Sequence, residues 1–278
     1  MPKYMPGAPR IAVKYYGGQS GGLALAEAMQ NTLPRDGLTM AMTTQAVVIH
    51  QMLRPEFAKY DARQWYWLGN MAPQRSVLAV WHTAKAQTLD DIKRTEVIIG
   101  ATAQSSPTYL VPDMMNKFLG AKFKIVTGYK NVNDMNLAME RGEIEGRASS
   151  WTNMKLMMAK DLEAGRVRPL VVSAITRQPE IKDVPTLADL MTEPLHKQTA
   201  EFISADSDFG RSVFLPPGVP VARAQALRLA FEAALRDPEL LAEADRLNVP
   251  IEWISGDELA AITRRITSSP KEVIDFAR

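Results

Sequence analysis

The sequence predicts an α/β protein, on three observations. The N-terminal third repeats a strand–loop–helix unit: Arg10–Tyr16, a glycine loop and Leu23–Asn31, then Leu38–Met42, Thr43-Thr44-Gln45 and a helix to Leu53. Such a repeat argues for a parallel sheet with covering helices. Val97-Ile98-Ile99 is a short β-branched run ended by Gly100, followed by the polar stretch Ala101–Ser106 and by Pro107, which opens a helix towards Gly120. And 278 residues suffice for two domains.

The elements follow in order. Gly17-Gly18-Gln19-Ser20-Gly21-Gly22 is not a P-loop, because no Gly-Lys-Ser/Thr follows, and it does not match G-x-G-x-x-G. Pro34-Arg35-Asp36-Gly37 is a turn. Gln64–Asn70 and Ser76–His82 are apolar, aromatic strands, whose Trp65, Trp67 and Trp81 read as sheet packing. Thr88-Leu89-Asp90-Asp91 caps a short helix. Lys122–Thr127 is a strand before Gly128-Tyr129; Asn133 caps a helix closed by Gly142; Ile144–Ser149 is a strand. Trp151–Ala159 is an amphipathic, Met-rich helix of core type. Val167–Ala174 is a buried strand, and Leu187–Met191 a helix. Pro216–Pro220 is a rigid turn before a helix over Ala222–Leu235; another starts at Pro238, and a last one runs from Asp257 to Ala277. Tyr15, Tyr16, Trp65 and Trp151 read as core more than as pocket walls.

Composition narrows the function classes. Hydrophobic content of 46% and charged content of 23% are those of a globular chain. A net charge of +2 gives no nucleic-acid footprint. No apolar run approaches the ~20 residues of a membrane span. Met1-Pro2-Lys3 begins no signal peptide, so the chain is intracellular or its leader has been removed. Zero cysteines exclude disulfides, a thiol nucleophile and a Cys-ligated metal. The three histidines, His50, His82 and His196, show no metal-ligand spacing, and there is no G-x-S-x-G elbow. Ser105 is a candidate nucleophile whose base the sequence does not supply.

What remains is a set of strand-ending loops rich in Gly, Ser, Thr and Tyr: Gly17–Gly22, Thr43–Gln45, Thr102–Ser106 and Gly128-Tyr129. In open α/β sheets ligands sit at these carboxyl ends. A helix start directly after a strand leaves backbone N–H groups free and a partial positive charge, a seat for a carboxylate or phosphate. Thr102, Gln104, Ser105, Ser106 and Thr108 surround that seat with neutral donors, which suits an anionic small molecule bound without being transformed.

The chain then resembles the substrate-binding proteins of tripartite tricarboxylate transporters, the Bug family of periplasmic receptors. The residues that carry the resemblance are Tyr4-Met5-Pro6-Gly7-Ala8, Pro34-Arg35-Asp36-Gly37, Gly100-Ala101-Thr102 with Ser105-Ser106, and Gly128-Tyr129, then Ala138 to Arg147 (AMERGEIEGR), Asp183-Val184-Pro185-Thr186 and Leu215–Pro220. The resemblance implies a two-lobed, type II periplasmic-binding-protein-like fold, each lobe a small mixed sheet with flanking helices. Lobe one would be 1–88 plus 212–278, and lobe two 89–211. It implies an extracytoplasmic receptor that closes on a small carboxylate and delivers it to membrane transporter subunits. The ligand-facing positions would be Gly17, Gly18, Thr43 and Thr44 in lobe one, and Thr102, Ser105, Ser106, Tyr129 and Arg147 in lobe two. No cofactor, metal, nucleic acid or enzymatic activity is expected, and the state would be monomeric. The N-terminus departs from the family pattern: Pro6-Gly7-Ala8 comes before the glycine loop, and the acidic residue after Gly-Gly is missing. Lobe one is thus expected to be incomplete at its N-terminus, or Arg10–Asn31 to stand in for the first strand and helix in shortened form. The alternatives are a serine hydrolase using Ser105 with His82 or His196, and a sensory receptor that docks a signalling partner.

Overall fold

The computed structural model describes residues 1–16, 22–104, 106–247, 249 and 251–278. In chain order the helices are α1 (Leu23–Asn31), α2 (Val47–Leu53), α3 (Asp91–Arg94), α4 (Pro107–Leu119), α5 (Val132–Glu140), α6 (Trp151–Met157), α7 (Ala159–Glu163), α8 (Pro194–Ser204), α9 (Val221–Leu235), α10 (Pro238–Arg246), α11 (Gly256–Thr267) and α12 (Lys271–Ala277). The strands are β1 (Ala41–Met42), β2 (Tyr66–Asn70), β3 (Ser76–Trp81), β4 (Val97–Gly100), β5 (Phe123–Val126), β6 (Gly146–Ser150), β7 (Val167–Ser173), β8 (Ser212–Leu215) and β9 (Ile254–Ser255). The chain divides into two units. Unit one is Met1–Gln74 with Asp208–Arg278; unit two is Arg75–Ser207. The mixed α/β class is the one expected from the sequence.

Unit one holds a sheet in the order β1-β8-β2-β9. Every pair in it is antiparallel, so the parallel sheet expected of this part of the chain is not found. The reason is connectivity. β8 follows unit two in the chain and pairs with β2, Trp67 facing Phe214, and neighbours brought together in this way need no crossover helix. Arg10–Tyr16, read as a strand, has no regular structure, and Val13 and Tyr15 are exposed at 77% and 96%. Alternation alone does not make a strand when no neighbour supplies the ladder. The reading of Tyr15 and Tyr16 as core is thereby corrected, since both are exposed. Trp65 and Trp67 are core, as expected: Trp65 stacks on Phe214 at 4.1 Å between ring centres, and Trp67 tilts against Phe209 at 5.1 Å. Beneath the sheet, Leu68, Val213 and Leu215 pack on Leu227, Phe231 and Leu235 of α9.

Two segments join unit one to unit two, and inside unit one they are tied side by side. Asn70, fully buried, donates through Nδ2 to Asp208 O at 2.7 Å. Its Oδ1 accepts from Ala72 N–H at 3.1 Å and from Arg211 N–H at 2.8 Å. Gly210 lies so close to this partner segment that an added Cβ would stand 2.3 Å from Ala72 O and 2.7 Å from Gln74 N.

The N-terminus is anchored electrostatically. Asp237, the N-cap of α10, accepts from Glu239 N–H at 2.9 Å and from the Tyr4 hydroxyl at 2.8 Å, and pairs with Lys3. The Lys3 ammonium first, then the Tyr4 hydroxyl, hold its carboxyl down at about 2. A depressed carboxylate stabilises the fold above its unfolded value near 3.8 and ceases to do so as pH falls through about 2. Acid titration between those values is therefore expected to release residues 1–5, read as early protease cleavage there. Asp237→Asn is expected to release them already at pH 7; an N-terminus equally protected in that variant would refute the anchor.

Unit two holds a sheet in the order β5-β4-β6-β3-β7. Here β4 runs parallel to β5 and β6 while β3 is antiparallel to β6 and β7, a mixed sheet as the resemblance implied. Its core joins β3 and β7 to α5 and α6 through Val77, Trp81, Met135, Met139, Met154 and Val172. Met154 and Met158 are buried, as expected for gap-filling methionines. Other boundaries move for local reasons. The cap of α5 is Asn131, not Asn133, because its side chain accepts from the N–H groups of Asn133 and Asp134. The helix expected over 187–191 is a single 3-10 turn, Ala188–Leu190. The final helix is split at Ser268–Pro270, since Pro270 offers no N–H to continue α11. The sequence reading did not identify α8.

Candidate functional site

The strongest sequence candidate was the start of α4. β4 ends at Gly100, and Ser106 takes the N-cap position in extended conformation, with Pro107 first in the helix. Three hydroxyls meet there. Thr108 Oγ1 accepts from Thr102 N–H at 3.0 Å and lies 3.2 Å from Thr102 Oγ1. Thr102 Oγ1 donates to Ser106 Oγ at 3.0 Å, and Ser106 Oγ donates to Ala103 O at 2.8 Å and touches Thr108 Oγ1. The cluster is neutral and its members are largely bonded to each other. Ser106 N–H is used by Ala103 O, and the N–H groups of Tyr109 and Leu110 by Ser106 O. Pro107 has none. The tip keeps fewer open donors than the sequence alone suggested.

Of the other candidate positions, Gly17, Gly18 and Ser105 lie outside the described residues. Thr43 and Thr44 belong to unit one: Thr43 Oγ1 donates to Gly22 O at 2.7 Å, and Thr44 O accepts from Val47 N–H at 3.2 Å. There they tie the start of α1 to the entry of α2. In unit two, Tyr129 N–H donates to Ala101 O at 3.4 Å, beside the same loop, and its ring is half-buried on the core. Burial chiefly, and Glu143 in addition, push its phenol above the usual range.

Arg147, the last of the candidate positions, lies inside the sheet of unit two. Its Cα pairs with Ala79 on one side and with Gly100, the last residue of β4, on the other. It is fully buried. Nε donates to Asn136 Oδ1 at 2.6 Å, Nη2 lies 3.3 Å from Met158 Sδ, and Nη1 has no hydrogen-bond partner among the described residues. Burial alone pulls its pKa down to about 10. The sequence reading missed Asn136. A polar residue between Met135 and Met139 on a helix otherwise packed inward, facing an arginine in the small-residue strand Gly146–Ser150, was the signal available.

Among the described residues no group of His, Asp and Glu is placed to hold a metal ion, and no helix is long and apolar enough to cross a membrane. Ser106 Oγ contacts Thr102, Ala103 and Thr108 and no histidine. His82 is tilted against Trp81, and His196 is stacked on Phe118. A surface cavity of about 440 Å³ in unit two is walled by Leu89, Ile92, Lys93, Leu119 and Leu190 among others. It lies towards the far end of α4, where Leu119 is roughly 20 Å from Ser106 by helical rise.

Comparison with family models and with curated proteins finds no match. Solved structures do match. A TctC solute-binding protein from Polaromonas, solved without ligand, is similar with a TM-score of 0.65 at 17% identity, over 93% of this chain and 84% of that one. A protein of R. palustris solved with adipate gives 0.65 at 19% identity, over 94% and 84%. MatC from Rhodopseudomonas palustris with bound malate gives 0.62 at 17% identity, over 94% and 85%. The chain shares the fold of these three structures, as the resemblance implied.

Proposed function

We propose that the protein is an extracytoplasmic solute receptor that captures a small carboxylate and delivers it to a membrane transporter of the tripartite tricarboxylate type. The observation that carries this reading is the fold, shared over 94% of the chain with proteins solved with malate and with adipate. The chemistry of the α4 tip supports it. Neutral hydroxyls at the positive end of a 13-residue helix stabilise a carboxylate without supplying a nucleophile and base. Thr102, Ser106 and Tyr129 are the proposed ligand-facing residues of unit two, and Thr43 and Thr44 those of unit one. The protein acts as a monomer in the periplasm, without a cofactor.

The test is thermal unfolding against a panel of mono-, di- and aromatic carboxylates, with malate and adipate included. A cognate ligand at about 100 times its dissociation constant adds about 2.7 kcal/mol. Thr102→Val with Ser106→Ala is expected to weaken that ligand at least tenfold, with the far-UV spectrum unchanged. Absence of stabilisation by every member of the panel refutes carboxylate capture. Undiminished affinity in the double variant removes the α4 tip from the site.

A further inference from the structure

We propose that Arg147 is the receptor of a small monoanion, a halide or a carboxylate, held inside unit two at the loop end of its sheet. The proposal does not depend on solute delivery and stands on three observations about one side chain.

The first is placement. Residues paired across a ladder point to the same face, so Arg147 shares a face with Ala79 and Gly100. A Cβ at Gly100 would touch Met135 and Ile144, and Ala79 belongs to the cluster of Met135, Met154 and Met158. The guanidinium thus lies in an apolar, methionine-lined layer. The second is charge. Its contacts are an amide oxygen and a thioether, both neutral. Burial lowers its pKa, and no carboxylate raises it. Arginine keeps its proton in proteins, so this core holds a positive charge that, among the described residues, no carboxylate contacts. A lone buried cation costs several kcal/mol. The third is the open donor: Nη1, itself buried, makes no hydrogen bond. Neutral partners fill Nε and Nη2, and one N–H edge is left for an acceptor.

The site is also near an entrance. Arg147 is level with Gly100 and, through it, with Val126, the last residue of β5. Both strands end there, and Tyr129, half-buried on the same cluster, follows immediately. An anion therefore enters from the loops and not through the sheet. One negative charge and one or two acceptor atoms meet the need; phosphate and sulfate bring a second charge that this layer does not offset.

The experiment is thermal unfolding of the full chain at constant ionic strength. A bulky sulfonate is replaced stepwise by chloride in one arm and by formate in the other. The wild type is expected to gain on the order of 5 °C between about 1 mM and about 100 mM anion. Arg147→Met is expected to give a flat line, and Arg147→Lys a weaker rise. A response to chloride alone identifies a halide site, and a response to formate identifies a carboxylate site; either supports the proposal. A flat wild-type line, or an equal rise in Arg147→Met, overturns it. Bromide-soaked wild-type crystals give a readout without any variant. Anomalous density beside Nη1 supports the site, and its absence there, with bromide bound elsewhere and no formate response in solution, overturns it.

Discussion

Gly210→Ala is expected to lower the unfolding free energy by about 3 kcal/mol or more, the upper end of what one added methyl does in a packed interior. The new Cβ would stand 2.3 Å from Ala72 O, 2.7 Å from Gln74 N and 2.9 Å from Pro73 C. All three are backbone atoms, so no side-chain rotation relieves the clash. The segment they belong to is fixed in turn by Asn70, which bonds Ala72 and Arg211 at once. Pushing the two segments apart therefore stretches buried hydrogen bonds as well. Gly142→Ala is the control. Gly142 has φ +73° with nothing near its missing Cβ, so that variant carries only the left-handed penalty of about 1–2 kcal/mol. Thermal unfolding of both variants checks the expectation. A Gly210 variant no worse than the Gly142 variant would show that the joined segments are loosely packed.

Some of this was legible in the sequence. The β4–α4 turn was readable in position, because the strand ends at Gly100 and the helix opens at Pro107 behind Ser106, although the Ser106 side chain makes no capping hydrogen bond. The aromatic core of β2 was readable because Trp65 and Trp67 have no stable place outside a packed sheet. Partnership was not legible. Arg10–Tyr16 carries a strand's alternation yet pairs with nothing, while β8 finds β1 and β2 across more than a hundred residues of chain. Local pattern reports what a segment can do; long-range pairing decides whether it does. The same limit applies at the site. The hydroxyls of Thr102, Ser106 and Thr108 could be named, but that they satisfy one another could not, because Thr108 reaches back over a whole turn. Asn136 escaped notice because its significance lies in the side chain it meets from another element.

Arg147→Met is expected to raise stability by about 1–4 kcal/mol in buffer free of halide and small carboxylates, the gain found when buried ionic groups give way to well-packed apolar ones. Methionine is nearly as long as arginine without its terminal fork, and it enters a layer already built from Met135, Met154 and Met158. Two effects oppose the gain. Asn136 Oδ1 loses its donor, at about 1 kcal/mol for a neutral hydrogen bond. The missing fork also leaves a small void, which flexible methionines fill better than branched side chains would. Neither matches the relief of removing a buried charge that has no carboxylate against it. Arg147→Ala should go the other way, because it exchanges the charge for a cavity worth about 2–5 kcal/mol. The pair separates charge from volume. If Met and Ala variants are both less stable than the wild type, packing dominates and the guanidinium serves the core as it stands. If Met is the more stable in anion-free buffer and the gap closes as formate is added, the wild-type core retains an arginine whose benefit appears only when an anion is bound, which is what selection for binding rather than for stability would leave behind.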